Sequence, residues 1–179
     1  PTANSQTLNA TEDTDFTITL TGSDADSDIL SYIITSLPSN GTLYQTSNGT
    51  SRGNEITSTG TTVTDGSNRI IFVPDLNQNG SNYGNFAFKV NDGTIDSDIA
   101  SITLNVTAVN DPPTVGNSNV YINEDTEIAF SISNLNYSDT EGSSINGIRI
   151  VSFSLNNSHQ GTLYLDANNN DSFDNGEQI

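Results

Sequence analysis

One twelve-residue stretch late in the sequence has the spacing of a calcium-binding loop. Such a loop carries oxygen-bearing side chains at positions 1, 3, 5, 9 and 12 and supplies a backbone carbonyl at position 7. Position 6, where a sharp turn favours glycine, is Asp171 here, and the segment that precedes the loop has the pattern of a strand. The spacing predicts a calcium site, with a polar hairpin loop as the alternative. The predicted ligands are Asp166, Asn168, Asn170, Ser172, Asp174 and Glu177.

The composition favours divalent cations as partners over nucleic acids or membranes. The sequence contains 22 Asp and Glu residues against 4 Lys and Arg, which gives a formal net charge of -18. A chain this acidic is repelled by phosphate backbones and anionic lipid surfaces unless cations bridge the two. The alternative for most individual carboxylates is that they only keep the protein in solution.

The residue types give little support to catalysis. Cysteine is absent, which excludes disulfides and thiol nucleophiles, and the single histidine, His159, lies in a polar turn. The acidic residues cluster in turns without a nucleophile beside them. No apolar run approaches the roughly 20 residues of a membrane-spanning helix. We therefore predict a non-enzymatic, soluble module without direct membrane insertion.

The chain is a tandem repeat whose second copy begins at Pro113. Pro1-Thr2 recurs as Pro113-Thr114, and Glu12-Asp13-Thr14 recurs as Glu124-Asp125-Thr126, both at an offset of 112 residues. The two prolines before the second copy predict a short, semi-rigid junction, since proline fixes φ and restricts the residue before it. We predict one domain over residues 1–111 and the N-terminal half of a second over residues 112–179, as an excerpt from a longer array.

Alternation of apolar and hydroxyl residues predicts an all-β fold of tandem antiparallel Greek-key β-sandwiches. Predicted strands cover residues 16–20, 29–35, 42–44, 69–73, 86–90 and 100–107, with a short edge strand starting near residue 63. Residues 45–60 are predicted to form a long surface loop with almost nothing to bury. In the second copy the same pattern predicts strands at 128–133 and 147–155. Short strands without a helical stretch favour a sandwich.

In this order, the motifs resemble the bacterial cadherin-like repeats, which are immunoglobulin-type sandwiches of surface proteins and large adhesins. The matching motifs are Glu12-Asp13-Thr14, Ser23-Asp24-Ala25-Asp26, Gly41-Thr42-Leu43, Phe72-Val73-Pro74-Asp75 with Asn79-Gly80, Phe86-Ala87-Phe88-Lys89-Val90-Asn91-Asp92-Gly93 and Val109-Asn110-Asp111-Pro112-Pro113. The resemblance covers the first copy and half of the second.

The resemblance implies an extracellular protein that binds Ca²⁺ between successive domains. In such a sandwich the turn after the first strand faces the following linker, and the turn after the second strand faces the preceding one. The implied ligands at the junction are Glu12, Asp13, Asn110, Asp111, Asp139 and Glu141. The resemblance places Asp24, Asp26 and Asp28 at the opposite end of the first domain, where the alternative is a solvated turn whose Asp side chains cap backbone amides.

Three classes of function are considered. The favoured one is a calcium-stiffened structural or adhesive module of an extracellular bacterial surface protein, whose partners are the neighbouring repeats. The second is a subunit of an extracellular filament or surface layer, in which a strand from another copy completes the second domain. The third is a carbohydrate- or protein-binding module, for which Tyr44, Tyr83 and Tyr164 are the candidate aromatic residues.

Eight Asn-x-Ser/Thr triplets occur in the sequence, and they matter only in a host that glycosylates such sites. They begin at Asn9, Asn40, Asn48, Asn79, Asn105, Asn136, Asn156 and Asn170.

Overall fold

The computed structural model describes residues 1–123, 126–145 and 147–149. Its contacts divide the chain into two units, Pro1–Asn110 and Asp111–Ile179. No helix within the described ranges is long and apolar enough to cross a membrane. The predicted twelve-residue calcium loop and most of the strand predicted at 147–155 lie outside the described residues.

The first unit, which is described throughout, is built of strands in two sheets. One sheet has the order β2-β9-β8-β5 and the other the order β3-β7-β6, while β1 pairs with β4. The strands are β1 (Thr2–Ala3), β2 (Gln6–Thr11), β3 (Phe16–Thr19), β4 (Gly22–Ser23), β5 (Ser31–Ser36), β6 (Thr42–Gln45), β7 (Arg69–Val73), β8 (Gly80–Asn91) and β9 (Ala100–Thr107). The all-β sandwich prediction is confirmed.

Alternate residues of the strands point inward and form the core, as a period of two requires. In β9 the even-numbered residues from Ala100 to Val106 are buried, while Ser101 and Thr107 are exposed. The most deeply buried side chains, at 0–1% exposure, include Ile18, Leu20, Ile34, Leu43, Ile70, Phe72, Phe86, Phe88, Ile102 and Leu104.

One strand pair departs from the antiparallel prediction. Strands β2 and β9 run in the same direction, with Leu8 opposite Leu104 and Thr11 opposite Thr107. The first stretch of chain pairs with β4 as β1 and then continues beside the last strand as β2. As a consequence, the end of β2 lies beside the end of β9, only a few residues before the first unit ends.

The stretch predicted as an unanchored surface loop is in fact tied to both sheets. Ile56 and Thr46 are each only 3% exposed. The backbone N–H of Ile56 donates to the Leu43 carbonyl on β6, and that of Gly60 donates to the Ile34 carbonyl on β5. The prediction was wrong because isolated anchoring residues leave no periodic pattern. The stretch covers the outer edges of β5 and β6, which would otherwise be open to pairing.

A tyrosine corner fixes the connection between β7 and β8. The Tyr83 hydroxyl accepts the backbone N–H of Asp75 at 3.1 Å and donates to the Asp75 carboxylate at 3.0 Å. The same carboxylate oxygen accepts the backbone N–H of Gly41 at 3.0 Å. Burial raises the pKa of the Tyr83 hydroxyl. This arrangement is a hallmark of immunoglobulin-type sandwiches.

The described part of the second unit repeats the start of the first. Strand β10 (Thr114–Gly116) pairs antiparallel with β11 (Asn136–Ser138), with Thr114 opposite Ser138. In the first unit Thr2 lies opposite Ser23 in the same way. The two pairs therefore match in residue type and in the direction of pairing.

The strand predicted at 128–133 is not formed. Residues 126–131 belong to no strand, and a 3₁₀ turn covers Ile132–Asn134. Ile128 and Phe130 are 43% and 54% exposed, whereas their counterparts in the first unit, Phe16 and Ile18, lie in β3 opposite β7. Alternation predicts which residues could face a core, but a strand also needs a partner to pair with.

A nearly buried ion pair holds the turn before β7. The Arg69 side chain donates to both oxygens of Asp65 at 2.8 and 2.9 Å, and the Asp65 side chain is 3% exposed. The Arg69 guanidinium, helped by the backbone N–H groups of Arg69 and Ser67, lowers the pKa of Asp65 from 3.8 to about 2. Burial opposes this shift but does not outweigh it.

This pair predicts a specific loss of stability in acid. A carboxylate with a depressed pKa stabilises the fold fully above its ordinary pKa and loses that contribution as the pH falls toward the folded value. We expect Asp65→Asn to lower the free energy of unfolding at neutral pH by about 2 kcal/mol and to flatten its decline between about pH 4 and pH 2. Urea unfolding followed by circular dichroism measures both. Asp98→Asn, at an exposed position, is the control, and parallel pH profiles for Asp65→Asn and wild type would contradict the assignment.

Candidate functional site

Glu12 lies beside the end of β9 because β2 and β9 are parallel. Its backbone N–H donates to the Thr107 carbonyl at 3.0 Å. Its side chain is fully buried, with Oε1 accepting the backbone N–H of Val109 at 2.6 Å and Oε2 accepting the Asn79 amide at 3.0 Å. One carboxylate therefore joins the turn after β2, the chain after β9 and the loop before β8.

Asp13 binds the same loop through a second contact. Its carboxylate accepts the backbone N–H of Asn77 at 2.9 Å. Both residues have left-handed backbone conformations, with φ of 58° at Asp13 and 55° at Asn77. Asp and Asn tolerate this region better than most residues do. The two consecutive carboxylates thus hold the loop between β7 and β8 at two points.

In the second unit the predicted ligands form two local contacts. The Glu141 carboxylate accepts the backbone N–H of Asp111 at 3.1 Å. Asp139 accepts the backbone N–H of Ser143 at 2.7 Å. Asn110 is the last residue of the first unit.

Asp24 forms the capped turn that the sequence analysis considered as the alternative to a metal site. Its Oδ1 accepts the backbone N–H groups of Asp26 and Asp28, at 2.8 and 3.3 Å. The N–H of Asp26, and then that of Asp28, lower the pKa of Asp24. Asp26 and Asp28 themselves are exposed. The Asp24–Asp28 bond and the Asp139–Ser143 bond have the same four-residue spacing, so the turn recurs in both units.

The oxygen donors named above are the type that Ca²⁺ prefers. Over the described ranges, however, no three His, Cys, Asp or Glu side chains lie close enough together to hold a metal ion. Glu124 and Asp125, the repeat counterparts of Glu12 and Asp13, and the predicted loop ligands from Asp166 to Glu177 fall outside those ranges. Calcium binding therefore stays a proposal that rests on donor chemistry.

Two of the three tyrosines considered for a binding module, Tyr44 and Tyr83, lie in the described part of the chain. Tyr83 is 9% exposed and its hydroxyl is occupied by Asp75. The Arg52 guanidinium lies over the Tyr44 ring, with its Cζ 5.4 Å from the ring centre. Arg52 is itself paired with Asp15. Tyr164 lies outside the described residues. Tyr83 is therefore unavailable to a ligand, whereas for the half-buried Tyr44 the role stays a prediction.

Sequence reasoning did not identify Asn77, Asn79 and Val109 as the groups that bind the two acidic residues. Their contacts with Glu12 and Asp13 join residues 64 to 97 positions apart. The only local signal is the run of Asp, Asn and Gly from Asp75 to Gly80, which favours turns and left-handed backbone. That signal predicts a loop but not what the loop contacts.

Two sheets in this order, together with the tyrosine corner, define an immunoglobulin-like domain. The chain belongs to the family of SibA-like, immunoglobulin-like domains, and the match covers residues 2–106. It is also 30% identical over 154 residues to the integrin beta-like protein C of Dictyostelium discoideum. That alignment covers 80% of this chain but only 8% of the relative. No solved structure matches the chain.

These comparisons confirm the immunoglobulin-type part of the predicted resemblance. They support an immunoglobulin-like domain and not the bacterial cadherin-like repeats in particular. The family match lies within the first unit, whereas the alignment with the relative is longer than that unit and so extends into the second.

The buried carboxylate predicts a large cost for its removal. We expect Glu12→Ala to lower the free energy of unfolding by about 3 kcal/mol, because a fully buried side chain and its two hydrogen bonds to a charged group are lost. Glu12→Gln should cost less, since its amide oxygen still accepts the Val109 N–H. Urea unfolding of the full chain compares both with Asp98→Ala, where no such loss is expected. Equal urea midpoints for Glu12→Ala and Asp98→Ala would show that the Glu12 carboxylate does not stabilise the fold.

Proposed function

We propose that this chain is a non-catalytic structural or adhesive module of an extracellular surface protein, in which calcium stiffens the junction between successive immunoglobulin-like repeats. The observation that carries the proposal is that the domain starts twice. The β10–β11 pair and the Asp139 turn repeat the β1–β4 pair and the Asp24 turn. Repetition of one module along a chain is how extended surface proteins are built.

A surface location is supported by the relatives. The matched protein is named an integrin beta-like protein, which supports an adhesive role at the cell surface. The chain spans only 8% of that protein, so the adhesive ligand and the partners of the whole molecule are not implied by the match. Kinship with the bacterial cadherin-like repeats is the narrower form of the proposal, and it rests on the motifs from Glu12 to Pro113.

The calcium part of the proposal rests on acidic residues that precede and follow the boundary between the units. Glu12 is tied to Val109, just before the boundary, and Glu141 is tied to Asp111, just after it. Each oxygen of a carboxylate has two lone pairs, so a side chain that already accepts one hydrogen bond can still bind a cation. Ca²⁺ would supply positive charge where the chain, at a net charge of -18, otherwise places carboxylates that repel one another.

A second candidate function is assembly by strand exchange between chains. It is favoured by Ile128 and Phe130, which alternate as in a strand but are exposed and belong to no sheet. A strand from another copy could cover them by antiparallel pairing, as β7 covers β3 in the first unit.

Calcium titration by isothermal calorimetry tests the favoured function. We expect binding with a dissociation constant on the order of 10⁻⁴ to 10⁻³ M, as in other extracellular modules, and a loss of about tenfold in Glu141→Gln. Glu141 suits the test because it is exposed and its carboxylate accepts a hydrogen bond from a backbone N–H, which Glu141→Gln can still accept.

Asp98→Asn is the matched control, since it removes one exposed carboxylate that precedes β9, whereas the boundary follows the end of that strand. An absence of binding heat in the wild type would refute calcium binding. Equal weakening in both variants would show that calcium only screens the net charge.

A further inference from the structure

We propose that Asn9 and Asn48 are sites of N-linked glycosylation, and that Asn40, Asn79 and Asn105 remain unmodified in the folded first unit. The proposal depends on the extracellular location proposed above, but not on calcium. All five residues begin Asn-x-Ser/Thr triplets, the acceptor signature for this modification. The structure separates them by what each side-chain amide nitrogen contacts.

Asn40 and Asn79 are exposed residues, but each uses its amide nitrogen in a hydrogen bond of the fold. Asn40 Nδ2 donates to the Tyr83 carbonyl at 2.7 Å, beside the tyrosine corner. Asn79 Nδ2 donates to the buried Glu12 carboxylate at 3.0 Å. A sugar bonded to either nitrogen would lie directly beside a group that is 2.7 or 3.0 Å from that nitrogen.

Asn9 and Asn105 form a pair in which only one nitrogen is engaged. They lie opposite each other in the parallel β2–β9 ladder, and Asn105 Nδ2 donates to Asn9 Oδ1 at 3.0 Å. Asn105 is held from its other side as well, because its Oδ1 accepts the backbone N–H of Asn82 at 2.9 Å. Asn9 is exposed and contributes only its oxygen to the pair. Its nitrogen is therefore the accessible one.

Asn48 organises its turn through its oxygen. Asn48 Oδ1 accepts the backbone N–H groups of Thr50 and Ser51, each at 2.9 Å. Its nitrogen reaches only the Ser51 hydroxyl, at 3.2 Å and at an exposed position. Glycosylation leaves the oxygen unchanged, so the turn keeps the two bonds that hold it.

The chemistry requires a donor and an enzyme of the host. The asparagine Nδ2 bonds to the anomeric carbon of a lipid-linked oligosaccharide diphosphate, the bond from that carbon to the diphosphate oxygen breaks, and the lipid diphosphate leaves. The nitrogen gives one of its two protons to a base of the transferase and keeps the other. Because transfer takes place during secretion, a glycan at Asn40 or Asn79 would compete with a contact of the native fold, and we expect folded secreted protein to lack it.

A glycan on Asn9 would also cover an open edge of the sandwich. Strand β2 is the outer strand of its sheet, and Gln6–Thr11 contains no charged residue. On the other side of the sandwich, the chain that connects β6 to β7 covers the outer edges of β5 and β6. Uncharged, uncovered edges are templates for pairing with other chains. The glycan would cover the outer edge of β2.

The test uses variants that remove the hydroxyl of one triplet and leave its asparagine in place. Residues 1–179 are secreted from a eukaryotic cell line behind that host's secretion signal, and the folded protein is weighed by mass spectrometry before and after enzymatic removal of N-glycans. We expect Thr11→Ala and Thr50→Ala each to remove the mass of one glycan, and Thr42→Ala, Ser81→Ala and Thr107→Ala to remove none.

If an alanine variant is not secreted, Asn9→Gln replaces Thr11→Ala and Asn48→Gln replaces Thr50→Ala. Each should lose the mass of one glycan, as the alanine variant would. Wild-type protein without glycans, or unchanged masses for Thr11→Ala and Thr50→Ala, would overturn the proposal. A loss of mass in Ser81→Ala or Thr42→Ala would overturn it too. Calcium titration of the glycan-free protein is unaffected by either result, so the two proposals fail separately.

Discussion

The buried carboxylate of Glu12 is the contact on which the end of the first unit depends. A charge taken out of water is costly unless hydrogen bonds compensate it, and here the Val109 N–H and the Asn79 amide do so. This geometry follows from the parallel pairing of β2 with β9, which brings residues 12 and 107 together. Asp13 and the tyrosine corner then fix both ends of the same loop. The result is a domain end whose last residues are held by its own core, and a stiff array needs such an end.

The sequence predicts those features of the fold that depend on neighbouring residues better than those that depend on distant ones. Strand β9 lies where alternation placed it, because its partners are present and one face is buried. The same alternation failed at 128–133, where Ile128 and Phe130 lie in no sheet. It also missed that Ile56 anchors a polar loop, since a single apolar residue has no period. The apolar pattern therefore indicates which segments could form strands, and the presence of a pairing strand determines which of them do.

The candidate site shows the same division. The acidic residues could be chosen from the sequence, since carboxylates near a domain boundary suit a hard cation. The groups that bind each carboxylate could not be predicted, because Glu12 contacts residues 67 and 97 positions away in the sequence. Asp24 shows that an acidic residue in a turn can bind backbone N–H groups of that turn. The same hydrogen bond at Asp139 indicates that this turn shapes the start of each domain.

The central claim is that calcium stiffens the junction between the two units, and pulsed electron spin resonance between spin labels tests it most directly. The chain has no cysteine, so Ser101→Cys and Ser144→Cys place one label on each unit at exposed positions. With about 2 mM calcium, roughly saturating for an extracellular module, the distribution of label distances should be narrower than with excess chelator. Equal widths in the two conditions would contradict the account.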